Sequence, residues 1–236
     1  MRLLLTRPEP DAQRTAAALR AQGHDVIAAP LLRIEPAADA QIGAGPWAAI
    51  LITSANTAPA VAANARMTEL RALPVFAVGR RSAEAMGAAG FADVTSADGN
   101  VSDLARLVVA RLQPAARLLY LAGEDRAGDL AGDLRAGGFA VETTVIYRAV
   151  AATSLPPAAA QALASGVDGV LHFSRRSAEV FIDAARAAGV LESALRAAHF
   201  CLSAPIAEPL VQAGAANIRV AERPNEAVLL ALIDAA

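Results

Sequence analysis

The chain has 236 residues, 55% of them hydrophobic, which is enough to bury one sizeable core or two small ones. A formal net charge of −2 argues against a broad nucleic-acid footprint, so no nucleic-acid partner is expected. All 21 basic residues are arginine, which excludes Schiff-base chemistry and a lysine-dependent phosphate loop but leaves bidentate carboxylate binding open. In chain order, short apolar runs at Leu3–Thr6, Ala49–Thr53, Val75–Val78, Leu118–Ala122, Val170–Phe173 and Phe200–Leu202 predict strands. Between them, alanine-rich stretches predict helices at Asp11–Gln22, Thr57–Asn64, Ser82–Ala89, Val101–Leu112, Ala127–Ala136, Ser177–Ala188, Ile206–Ala213 and Glu226–Ala235. This alternation predicts an α/β fold with parallel sheets covered by helices. No apolar run reaches the roughly 18 residues of a membrane span, and the apolar stretch after Met1 is too short for a signal peptide. With Cys201 as the single cysteine, neither a disulfide nor a thiolate metal cluster is expected, and the compartment expected is the cytoplasm.

Internal repeats sharpen the organisation. Leu19–Val26 returns as Leu134–Val141, and Leu4 and Arg33 recur at the same offset as Leu119 and Arg148. A second unit also recurs: Thr53-Ser54 as Phe173-Ser174, Phe76–Gly90 as Phe200–Gly214, and Gly99-Asn100 as Pro224-Asn225. The order is therefore A, B, A′, B′, which makes two similar domains. Only Gln113-Pro114-Ala115-Ala116 joins B to A′, a length typical of neighbours within one domain, whereas the joins Ile34 to Pro46 and Ala149 to Gly166 are long and rich in proline, alanine and glycine. Pairing B with A′, and A with B′, predicts one domain from 1–33 plus 153–236 and another from 36–149. Residues 34–35 and 150–152 then form a two-stranded hinge.

Parallel sheets bind ligands beyond the carboxyl ends of their strands, where helix N-termini converge. Those positions carry Thr6-Arg7, Thr53-Ser54-Ala55-Asn56, Gly79-Arg80-Arg81-Ser82, Gly123-Glu124-Asp125-Arg126 and Ser174-Arg175-Arg176-Ser177. Each offers hydroxyls, backbone N–H groups or arginine at a helix start, a chemistry suited to a ligand with many carboxylates. Serine and threonine are equally ordinary helix caps, and a loop arginine is often only solvated. No Gly-x-Gly-x-x-Gly follows the first strand and no Walker sequence exists, so no nucleotide cofactor is expected. His24, His172 and His199 lack metal-ligand spacing, and Cys201 within an apolar strand reads as inert core. Glu124-Asp125 offers an acid–base pair or a solvated cap. Tyr147 is expected at the end of the A′ strand, either reaching into a cleft or packing.

Several segments together resemble the uroporphyrinogen-III synthase family: Leu-Leu-Thr-Arg-Pro at the start, Ile-Thr-Ser-Ala-Asn, Ala-Val-Gly-Arg-Arg-Ser-Ala-Glu-Ala, Val-Ile-Tyr-Arg and Phe-Ser-x-x-Ser-Ala. Each is short, and their order along essentially the whole chain carries the specificity. The resemblance implies two α/β domains on a two-stranded hinge, with the first and last segments in one of them. It also implies a cofactor-free, metal-free enzyme that acts on hydroxymethylbilane. The terminal hydroxyl leaves as water, the resulting azafulvene attacks the substituted position of ring D, and a spiro intermediate fragments and recloses with that ring inverted. Tyr147 matches the tyrosine that assists departure of the hydroxyl. Ser82 matches a hydroxyl lining the cleft, and Thr53, Ser54, Ser174 and Ser177 match the strand-end motifs; Arg7 is grouped with these as a substrate contact. The family's usual Gly-Pro-Thr-Thr is here Ser203-Ala204-Pro205-Ile206, so a side-chain contact expected from that loop is missing. The competing readings are a two-domain small-molecule binding protein without catalysis, and a glycosyltransferase of two facing domains. A monomer is expected.

Overall fold

The structure, a computed structural model, describes residues 1–126 and 128–234. In chain order it forms β1 (Arg2–Leu5), α1 (Asp11–Ala21), β2 (Asp25–Ala28), β3 (Leu32–Pro36), β4 (Ala49–Ile52), α2 (Thr57–Ala62) and α3 (Met67–Leu70). There follow β5 (Val75–Ala77), α4 (Arg80–Ala88), β6 (Val94–Ser96), α5 (Val101–Arg111), β7 (Arg117–Gly123), α6 (Leu130–Ala136) and β8 (Ala140–Ala151). The chain closes with α7 (Pro157–Ser165), β9 (Gly169–His172), α8 (Arg175–Ala187), α9 (Leu191–Arg196), β10 (Ala198–Cys201), α10 (Ala204–Ala213), β11 (Ile218–Val220) and α11 (Glu226–Asp234). Ala127 and Ala235, the predicted start of one helix and end of another, lie outside the described residues.

The chain divides into two compact units, Met1–Arg33 with Val150–Ala236, and Ile34–Ala149. The first holds a five-stranded sheet in the order β11-β10-β9-β1-β2, parallel throughout. Its central strands are buried along their whole length, because helices cover both faces of a parallel sheet. Alternate side chains serve opposite faces: Leu4, Val170 and Cys201 pack in one core cluster, while Leu3, Leu5, Leu171 and Phe200 pack in the other. Two histidines sit in the first of these faces. His172 on β9 and His199 on β10 are fully buried, with Nε2 of one 3.0 Å from Nδ1 of the other and the Phe181 ring edge-on to both. Burial holds the His172 imidazole well below its ordinary pKa, with the neighbouring His199 adding to this, and burial lowers His199 to about 4.

The second unit holds a six-stranded sheet in the order β3-β8-β7-β4-β5-β6. Strands β8, β7, β4, β5 and β6 run parallel. Ile50, Ile52, Leu119 and Leu121 face one cluster; Leu51, Leu118, Tyr120 and Ala122 face the other. Helix α5 starts on a capping box, Asn100 accepting from the Asp103 N–H while the Asp103 carboxylate accepts from the Asn100 N–H.

Three expectations change. The stretch Ala149–Gly166 is not a bare linker, for it contains α7, whose opening Pro157 needs no N–H partner in the first turn. The join after Ile34 likewise contains most of β3. Tyr147 does not end its strand, because β8 continues to Ala151; what ends opposite Tyr147 is the neighbouring strand β7, at Gly123. Of the strands that no apolar run announces, β2, β3, β6 and β11 are the edges of the two sheets, whereas β8, expected only as the strand that carries Tyr147, lies between β3 and β7. An edge strand is only partly covered, so it carries polar residues and shows no continuous apolar run.

Candidate functional site

In the second unit the loop after β4 receives two tyrosines. Thr53 and Ser54 follow β4 directly, at the start of the turn that leads into α2. Thr53 Oγ1 lies 2.9 Å from the hydroxyl of Tyr120, which rises from β7 on one face. The Tyr147 ring packs in the cluster of the other face. To get there its ring crosses β7 at Gly123, where a Cβ would stand 2.5 Å from the ring Cζ. The backbone N–H of Glu124 donates to the Tyr147 carbonyl across the register shift at this point. Burial raises the Tyr147 pKa above its ordinary value; the Ser54 hydroxyl opposes this, and Tyr120 and Asp125 reinforce it. A phenol so placed keeps its proton at neutral pH.

The Ser54 turn is internally bonded: Ser54 Oγ accepts from the Asn56 N–H at 3.2 Å and its carbonyl from the Thr57 N–H at 3.2 Å. At the far side of the turn Thr57 Oγ1 donates to the Leu121 carbonyl. A cavity of about 720 Å³ opens beside Tyr120, bordered also by Thr143, Glu124, Asp125, Arg126 and Arg135. Glu124 forms an exposed ion pair with Arg148 rather than a carboxyl pair for acid–base work. Ser82 is buried in the first turn of α4, which follows β5, the neighbour of β4. That helix begins at Gly79, so no side chain caps its first N–H groups.

In the first unit, Ser174 caps α8. Its Oγ accepts from the Ser177 N–H at 3.1 Å and lies 2.8 Å from the Ser177 hydroxyl, which is almost fully buried. The two predicted hydroxyls are thus brought together, but turned on each other. Ser203 begins α10 without a side-chain cap bond.

Arg7 departs from its expected place among substrate contacts. Its guanidinium is turned inward, 8% exposed, pairing with Asp11 at 2.8 Å and Glu226 at 3.0 Å, donating to Thr15 and lying over the Phe173 ring. Burial lowers the Arg7 pKa and Glu226 partly restores it, while arginine's high intrinsic value keeps it charged. Burial works against ionisation of Glu226, but the hydroxyl of Thr15 and the charge of Arg7 outweigh it and hold the carboxyl below the usual range. The cluster ties α11 to α1 and to the loop after β1.

Tyr120 is the residue that sequence reasoning missed. Its signal was present: a lone tyrosine in the apolar run Leu118–Ala122, whose hydroxyl must find a partner once buried.

The model of the family described as uroporphyrinogen-III synthase HemD matches residues 13–231. The crystal structure of uroporphyrinogen-III synthetase from Helicobacter pylori superposes with a TM-score of 0.68 at 15% identity, over 100% of this chain and 99% of that one. A mutant uroporphyrinogen III synthase from the extremely thermophilic bacterium Thermus thermophilus superposes with a TM-score of 0.53 at 17% identity, over 100% and 98%. These likenesses show a shared fold. No curated protein matches the chain in sequence. Among the described residues no helix is long and apolar enough to cross a membrane.

Proposed function

The chain belongs to the uroporphyrinogen-III synthase family, lyases of haem biosynthesis, and from that premise we propose which of its residues perform the reaction. The reaction is the dehydrating cyclisation of hydroxymethylbilane to uroporphyrinogen III, with ring D inverted. The family match along residues 13–231 is the observation that carries this.

Tyr147 is the general acid. Its phenol gives a proton to the departing hydroxyl as the carbon–oxygen bond breaks, so that water leaves and the azafulvene remains. The proton lost from ring D at the final closure restores the phenol. Support comes from its buried phenol, whose pKa burial raises, lying over Gly123 where β7 ends at the carboxyl end of the six-stranded sheet. Thr53, Ser54 and Ser82 in one unit, and Ser174 and Ser177 in the other, bind the bilane's carboxylates through their loops. Because the Ser174 and Ser177 hydroxyls bond to each other, the α8 turn contributes through its backbone N–H groups. Arg7 acts indirectly, by holding the loop after β1 in place. Since the bilane closes unaided to the uninverted isomer, most of the enzyme's work is to hold one reactive conformer. The same reading has a cytoplasmic monomer that needs no metal, cofactor or nucleic acid, with residues 34–35 and 150–152 as the hinge segments of the chain.

The test is to supply fresh hydroxymethylbilane to purified protein without added metal or cofactor, then analyse the isomers of the oxidised porphyrins. The type III isomer should predominate. A mixture identical to the enzyme-free control would overturn the reading.

A further inference from the structure

We infer that Glu226 is a positioning residue for substrate binding: it holds Arg7 over the ring of Phe173, and so fixes the turn at Ser174. The inference rests on the reading that the backbone N–H groups of this turn hold a carboxylate of the bilane.

The two units differ at one corner that both possess. In the first, Glu226 opens α11 and its carboxylate reaches α1 and the loop after β1. It accepts from the Thr15 hydroxyl and pairs with Arg7 at 3.0 Å and Arg14 at 3.1 Å. Asp11 pairs with the same two arginines, so the charges of the cluster balance. The repeat offset that sets Leu4 against Leu119 sets Arg7 against Ala122 and Thr15 against Leu130. The offset that sets Asn225 against Asn100 sets Glu226 against Val101. Val101, Ala122 and Leu130 belong to one apolar cluster, so the second unit closes this corner without charge. Replacing a buried ion cluster by well-packed apolar residues is often neutral or stabilising, so stability alone does not account for the charged version. What the charges add is a fixed guanidinium at the ligand end of the sheet. Strands β1 and β9 are neighbours; Arg7 lies two residues beyond the one, and Phe173 directly follows the other. Arg7 Cζ stands 4.1 Å from the centre of the Phe173 ring, which is only partly buried among its apolar neighbours. The next residue is Ser174, the cap of α8. Glu226 thus acts on the turn through Arg7 and Phe173.

The rival explanations are a purely structural cluster and an Arg7 that touches substrate directly. Steady-state kinetics on fresh hydroxymethylbilane, beside urea unfolding, separate them. The triple variant Arg7→Ala, Thr15→Leu, Glu226→Val gives the first unit the corner of the second. It should unfold at no lower urea concentration than wild type, yet raise KM by about 3- to 10-fold with kcat little changed, the effect of about one hydrogen bond lost to substrate. Phe173→Leu leaves the charges in place and removes the ring through which they act, so it should raise KM by the same factor. Added to the triple variant it should change nothing further, because the turn is already released. A wild-type KM in either variant would make the cluster structural and overturn the inference. Additive losses would assign Arg7 to the substrate itself and overturn it as well. If the triple variant does not fold, Glu226→Gln, which keeps the size and removes the charge, takes its place with the same expectations for KM. Should the wild-type protein give no excess of the type III isomer, the functional reading fails first, a result distinct from all of these.

Discussion

Tyr147 occupies the space that a side chain at position 123 would take. A Cβ built on Gly123 stands 2.5 Å from the ring Cζ and 2.6 Å from the phenol oxygen. The neighbouring atoms belong to a ring held in its strand and packed in a core, so they cannot give way cheaply. Gly123→Ala should therefore displace the phenol without altering any atom of Tyr147. The expected result is a kcat close to that of Tyr147→Phe, together with a loss of about 1–3 kcal/mol of stability from overpacking. Kinetics and urea unfolding of the one variant check both parts, and wild-type turnover would show that the ring's position does not matter.

Removing only the hydroxyl is the sharper operation. Tyr147→Phe keeps the ring over Gly123, so its melting temperature should stay close to wild type. General acid catalysis is typically worth about 10²–10⁴-fold, and hydroxymethyl loss from an electron-rich pyrrole is already easy, so the drop in kcat should fall at or below the low end of that range. Because burial raises the phenol above its ordinary 10.0, the wild-type kcat should show no alkaline fall from this group below that pH. Unchanged turnover with a lowered melting temperature would make Tyr147 a packing residue.

The buried histidine pair predicts acid sensitivity of the first unit. Both imidazoles are held neutral in the folded state, with pKa values below the ordinary 6.5. The unfolded chain binds protons at these sites as pH falls below about 6.5 while the folded chain does not, so stability is greatest above that pH. It should decline through the window from 6.5 towards about 4, where His199 titrates in place. The slope is about 1.4 kcal/mol per pH unit for each site that titrates. Urea unfolding at pH 7, 6 and 5 measures it. Replacing both partners, His172→Leu with His199→Leu, should flatten the profile, and a wild-type stability that is level over this range would contradict the account.

A fragment of residues 34–149 should fold cooperatively, since it contains nearly all of the six-stranded sheet and both of its core clusters. A fragment of residues 1–112 should not. It takes β1 and β2 without β9, and β4 without β7, which leaves apolar faces uncovered and sheet edges unpaired. Thermal melts followed by circular dichroism distinguish the two; a cooperative 1–112 beside a disordered 34–149 would refute these boundaries.

All the central strands but β8, which is only partly buried, were legible as apolar runs, because burial on both faces is a local property. Leu3 to Leu5, Ile50 to Ile52 and Leu118 to Ala122 need apolar residues at every position, and an unbroken apolar run records that need. The repeats recorded the order of the units for a similar reason: each copy must satisfy the same strand–helix packing. The edge strands β2, β3, β6 and β11 left no such record, being half covered.

What the amino-acid sequence determined by itself was therefore the α/β class, the run of hydroxyls and arginines at strand ends, and the ordered motifs of the family. Only the tertiary structure decided what those polar groups do. It turned Arg7 inward onto Glu226, closed Ser174 on Ser177, set Tyr147 within a strand that outlasts its neighbour, and brought Tyr120 to Thr53. The physical reason is range. An apolar run reports on its own segment, whereas a hydrogen bond such as that of Thr53 with Tyr120 joins residues 67 apart, and its partner is set by the order and register of the strands that carry them.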